Sequence, residues 1–127
     1  MPVTVLVVDD SKLARINAGK ALGQLQPDWQ RVEAGNAEEA LAIVGREAID
    51  LALVDYNMEG TDGLTLAAQL REAHPTMPIA LITANIQDEI IARAREINVS
   101  FVAKPLTAEA LQGFISGAAL RLRTARA

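Results

Sequence analysis

Residues 3–10 read VTVLVVDD, six apolar or β-branched residues followed at once by two aspartates. An apolar run of this length without polar alternation is the pattern of a strand buried on both faces, as in parallel sheets covered by helices on each side. Residues 50–54, 79–82 and 99–102 repeat it as near-continuous runs of Val, Ile, Leu, Ala and Phe.

Between these runs, apolar residues recur at helical spacing: Ala40, Leu41, Val44 and Ala48; Leu66, Ala67, Leu70 and Ala73; Ile90, Ile91, Ala94 and Ile97; Ala110, Leu111, Phe114, Ala118 and Leu122. A helix over residues 12–26 has a poorer stripe, because Leu13, Leu22 and Leu25 share no narrow face. It is expected from its place in the order and from Ser11 as N-cap. A short polar strand near Gln30 to Ala34 belongs at a sheet edge. The pattern is five βα units.

In such sheets polar side chains converge at the carboxyl ends of the strands. There the chain places Asp9 and Asp10 after the first strand, Asp55 after the third, Thr83 closing the fourth and Lys104 after the fifth.

At 127 residues with 50% apolar content, the chain is expected to form one domain over residues 1–127. Its end, LRLRTARA, reads as a fraying or connecting segment from about residue 123. A net charge of -4 without a clustered basic face argues against direct nucleic-acid binding. Arg121, Arg123 and Arg126 fit cations at a helix carboxyl end. The absence of cysteine excludes disulfides and thiolate sites, and the single histidine, His74, reads as a solvated helix end. The first apolar run lacks a preceding basic region and no stretch is long enough to span a bilayer, so a soluble, cytoplasmic protein without membrane insertion is expected.

Asp9 and Asp10 admit two readings: solvated loop aspartates, one capping the next helix, or carboxylates gathered around a hard cation such as magnesium. Asp55 closes an apolar strand ahead of a loop containing Gly60 and Gly63. It suits either a metal ligand or a nucleophile that forms an acyl phosphate. In the second role, charge on the phosphoryl oxygens needs a metal and a cation, which Lys104 can supply, and Thr83 offers a hydroxyl donor. Lys104 precedes Pro105; a cis bond would aim the lysine over the strand ends, whereas trans is the default for an X-Pro pair.

The motifs VLVVDDS, LVDYNMEGTDGL, LITA and FVAKPL, in this order and at these separations, resemble the receiver domain of two-component response regulators over essentially the whole chain. That resemblance implies a flavodoxin-like, doubly wound α/β fold, a three-layer sandwich with strand order 2-1-3-4-5. It also implies that Asp55 accepts a phosphoryl group from a histidine kinase or histidine phosphotransfer protein. Magnesium, with manganese as an admissible substitute, would be held by Asp10, Asp55 and the Asn57 carbonyl, and by Asp9 through water. Lys104 would pair with the phosphoryl group, Thr83 would move toward it, and Phe101 matches the aromatic whose inward rotation reports that movement. Asn57 and Asn85 would tune hydrolysis. The output surface would be the helix at 86–97, the strand at 99–102 and the helix at 107–122, serving an output protein or a second copy in a homodimer.

Two departures from the family pattern stand out. Glu59 replaces a usual proline, and Phe101 lacks the hydroxyl of a frequent tyrosine, so its ring should favour burial. Gly113 and Gly117 each cost a helix about 1 kcal/mol against alanine, and tight packing on the domain's own sheet is the preferred reason over close approach of a partner. A flavin carrier of similar architecture would need a Ser/Thr/Gly-rich loop where this chain has Asp-Asp-Ser-Lys. A magnesium-dependent phosphatase would need a proton donor and a cap. An interaction domain with a vestigial acidic site is the remaining alternative, and the presence of all five site residues speaks against it.

Overall fold

The computed structural model describes residues 3–58, 60–84 and 87–126, the last three by backbone alone. Glu59, Asn85 and Ile86, named above for the loop, for hydrolysis and for a helix start, lie outside the described residues. Strands β1 (Thr4–Val8), β2 (Gln30–Ala34), β3 (Leu51–Asp55), β4 (Ile79–Thr83) and β5 (Ser100–Ala103) alternate with helices α1 (Lys12–Leu25), α2 (Ala37–Arg46), α3 (Gly63–Ala73), α4 (Asp88–Glu96) and α5 (Ala108–Arg126). All pairings are parallel and the order is β2-β1-β3-β4-β5, with the polar strand at an edge as its composition requires. This is the flavodoxin-like, doubly wound arrangement that the resemblance implied.

Pleating divides the strand residues between two cores. Leu6, Val8, Ala52, Val54, Ile79 and Leu81 face the helices α2, α3 and α4, whose Ala40, Ile43, Leu66, Leu70, Ile90 and Ala94 complete one apolar layer. Val5, Val7, Leu51, Leu53, Ala80 and Ile82 face α1 and α5, meeting Ala18, Leu22, Leu111 and Ile115. Truncating a fully buried leucine such as Leu53 to alanine would cost about 2–5 kcal/mol.

The weak stripe of α1 has a simple cause. Its buried face is Ala18, Gly19, Ala21 and Leu22, mostly small residues, while Leu13 points to solvent at 67% exposure. Ser11 caps the helix as expected, its hydroxyl accepting from the Ala14 N–H at 3.2 Å. Other stripes are trimmed: α2 stops at Arg46, leaving Ala48 exposed outside it, and Ala73 and Ala110 are exposed within theirs. His74 is the half-buried C-cap residue of α3.

Two expectations about α5 are corrected. The helix runs on through Arg126, so Arg121 sits within it and not at its end. Gly113 and Gly117 are exposed, and a Cβ built on either meets nothing within 4 Å, so tight packing on the sheet does not explain them. Among the described residues, no helix is long and apolar enough to cross a membrane.

Candidate phosphoryl-acceptor site

Register builds the site. Val8 lies opposite Val54 in the β1–β3 pairing, so Asp9 and Asp55 leave adjacent strand ends side by side. One oxygen each from Asp9, Asp10 and Asp55 falls within 4.8 Å of the others. Asp55 is 2% exposed and Asp9 buried, whereas Asp10 is exposed. Asp9 Oδ1 accepts from the Ser11 N–H at 2.9 Å, which turns the chain from β1 into α1.

Thr83 is buried at the end of β4, and its carbonyl accepts from the Lys104 N–H at 3.0 Å, tying the ends of β4 and β5 together. The Lys104–Pro105 peptide is cis. Lys104 Nζ lies 2.9 Å from Asp55 Oδ1 and 3.9 Å from Asp9 Oδ2. The 2.9 Å contact is an ion pair without the alignment of a hydrogen bond, and Oδ1 has no hydrogen-bond partner. The Lys104 ammonium offsets part of the cost of burying this oxygen, and a further donor or a metal cation would offset more.

Burial pushes the Asp55 carboxyl above its ordinary range; Lys104 opposes the rise, and Asp9 and Asp10 add to it. Burial alone would lower the Lys104 ammonium, its largest single influence, but Asp55, Asp9 and Asp10 together raise it. The lysine is therefore a cation beside a carboxylate whose charge is disfavoured first by burial and then by Asp9 and Asp10. Three carboxylates with an orphaned oxygen supply hard donors and excess negative charge, so they could hold a divalent metal ion.

Of the other residues singled out in the sequence, Asn57 is exposed two positions after Asp55, and Phe101 is half-buried on β5, less enclosed than expected. Two further residues support the site, Arg15 outside the quoted motifs and Gly63 inside LVDYNMEGTDGL. Arg15, on α1, donates from Nη1 to the Asp9 carbonyl at 2.6 Å and from Nε to Glu33 Oε1 at 3.0 Å. Gly63 opens α3 against the end of β3, where a Cβ would overlap the Asp55 carbonyl oxygen and lie 2.7 Å from the Tyr56 Cα. Glycine is the residue that fits this approach. Position alone could have suggested Gly63, but Arg15 needed the register of β2 against β1.

Comparison with known proteins agrees with this geometry. The response regulator receiver domain family matches residues 5–116. The chain is 39% identical over 115 residues to the positive alginate biosynthesis regulatory protein of Pseudomonas aeruginosa, covering 86% of this chain and 44% of that protein. It is 35% identical over 124 residues to the sensor histidine kinase RcsC of Salmonella typhi, covering 97% of this chain and 13% of the kinase. A CheY-like response regulator receiver domain structure from Methanospirillum hungatei superposes with a TM-score of 0.87 at 19% identity, over 98% of this chain and 99% of that one. The matched family is one of signalling domains and not of catalytic enzymes. The chain belongs to the response regulator receiver domain family of two-component systems.

Proposed function

We propose that this chain is a phosphorylation-dependent switch in which Asp55 accepts a phosphoryl group from a phosphohistidine of a histidine kinase or phosphotransfer protein. The observation that carries this reading is the buried Asp55 carboxylate, its Oδ1 2.9 Å from the Lys104 ammonium, beside Asp9 and Asp10.

In the transfer, a carboxylate oxygen of Asp55 attacks phosphorus in line, the P–N bond to the donor imidazole breaks, and its electron pair leaves with the imidazole nitrogen. Lys104 offsets charge on the phosphoryl oxygens, and the Thr83 hydroxyl donates to one of them. Asp10, Asp55 and the Asn57 carbonyl would hold Mg2+, with Asp9 acting through water and Mn2+ as a substitute; the ion supplies neutralisation of the phosphoryl charge. Asn57 and Asn85 tune hydrolysis of the acyl phosphate. The chain turns over only its own phosphoryl group.

Output follows as a population shift. The dianionic phosphoryl group draws Thr83 and Lys104 toward it, Phe101 rotates inward, and the α4–β5–α5 surface changes toward an output protein or a second copy of this chain. Residues 1–127 act as one unit in the cytoplasm without contacting nucleic acid directly.

The test is intact-mass analysis after incubation with acetyl phosphate and Mg2+. One phosphoryl group per chain is expected, absent in Asp55→Asn and in EDTA. An unlabelled wild-type chain under conditions that label another receiver would favour the vestigial interaction domain instead.

A further inference from the structure

The chain carries a second charged concavity, at the opposite edge of the sheet. A cavity of about 660 Å³ opens at the amino end of β5 and is lined by Arg71 of α3, Arg95 of α4 and Arg121 of α5. No aspartate or glutamate lines it, although the chain as a whole is acidic. Among the described residues no carboxylate forms an ion pair with any of the three arginines.

Their roles differ. Arg71 is half-buried and spends its donors on the chain, Nε on the Ile97 carbonyl, Nη1 on those of His74 and Pro75, and Nη2 on that of Asn98. Neutral carbonyls satisfy its hydrogens but leave its charge uncompensated. Burial foremost, and the neighbouring Arg121 after it, hold the Arg71 guanidinium below its ordinary range. Arg95 and Arg121 are exposed, with guanidinium groups free to turn onto a ligand.

We propose that this cavity is a binding site for a phosphate-bearing small molecule, separate from the phosphoryl-acceptor site and independent of the reading of Asp55. Guanidinium forks match phosphate oxygens bidentately, and the Thr76 and Ser100 hydroxyls at the rim add neutral donors. Ile91 and Phe101 form an apolar wall that suits an organic moiety attached to the phosphate. The volume lies in the range of small-ligand sites, about 300–1,000 Å³. Three cations converging on one hollow favour a compact anion over an extended acidic peptide, which would need charges spread along a surface.

Inorganic pyrophosphate and ATP are the probes, titrated calorimetrically at low salt in EDTA so that the aspartate cluster cannot bind them through a metal. Saturable 1:1 binding is expected, unchanged in Asp55→Asn and weakened about tenfold or more in the Arg95→Gln/Arg121→Gln double variant. Thermal unfolding of that variant should match the wild type, since neither side chain anchors the fold. Arg95→Lys/Arg121→Lys should recover part of the affinity, charge being restored without the fork. The proposal is overturned if neither probe binds, if binding survives the double substitution to glutamine, or if a glutamate-rich peptide binds the cavity where both probes fail.

Discussion

Arg15 Nη1 meets the main-chain carbonyl of Asp9 at 2.6 Å, so the first aspartate of the cluster is held from helix α1 through its backbone and not through its carboxylate. The same guanidinium reaches Glu33 on the edge strand β2, which fixes its direction. Replacing Arg15 by alanine should loosen the β1–α1 turn and weaken metal binding by about tenfold, the scale typical of residues that orient ligands without touching the ion. Glu33→Gln should have a smaller effect in the same direction. Mg2+ titration followed by calorimetry, set against the thermal midpoint, separates positioning from general destabilisation; equal affinity in Arg15→Ala would refute it.

The raised pKa of Asp55 has a defined sign in stability. An acid whose folded value exceeds its unfolded one binds more protons when folded, so its contribution is best below the ordinary 3.8 and declines as pH climbs through the raised value. Lys104, also raised, helps folding below its ordinary 10.5 and loses that help above its folded value. In metal-free buffer at pH 7, Asp55→Asn should therefore be more stable than wild type by about 1 kcal/mol, a few degrees in Tm. The advantage should shrink toward pH 3. Adding Mg2+ should raise the wild-type Tm more than that of the variant. A lower Tm for Asp55→Asn at pH 7 in EDTA would contradict the assignment.

Open space around Gly113 and Gly117 makes alanine admissible at both. Each exposed helical Gly→Ala change should stabilise the isolated chain by about 0.5–1 kcal/mol. Chemical denaturation of the two single variants measures this directly. Destabilisation would mean that the helix is held differently there.

Gly63→Ala should do the reverse. The added carbon collides with main chain at Asp55 and Tyr56, which cannot move aside as a flexible side chain would. A loss of about 2 kcal/mol or more is expected, together with slower labelling by acetyl phosphate than in a core variant of equal stability such as a truncated Leu70. Labelling as fast as in that control would remove any positioning role.

Much of this architecture was legible in the residues because each signal was physical and local. Unbroken apolar runs such as Val5–Val8 can only be buried twice over, and the chemistry at their ends, Asp9, Asp10, Asp55, Thr83 and Lys104, is brought to one edge by a parallel sheet. Helix α1 was read less well because alanine and glycine form its inner face and carry little periodic signal. Arg71, Arg95 and Arg121 are far apart in the chain, so their meeting in one cavity left no trace in charge patterning. Arg15 was invisible for a related reason: its partners are a carbonyl, which every residue has, and a glutamate on another strand.

The four carbonyl contacts of Arg71 bear on how α4 could yield. They rivet the turn at Ile97 and Asn98 to the end of α3, whereas Gln87 at the other end of α4 makes no side-chain cap. If phosphorylation displaces α4 as proposed, its uncapped amino end, on the side where Thr83 ends its strand, has fewer ties to break than its carboxyl end. Arg71 would then be the pivot of that displacement.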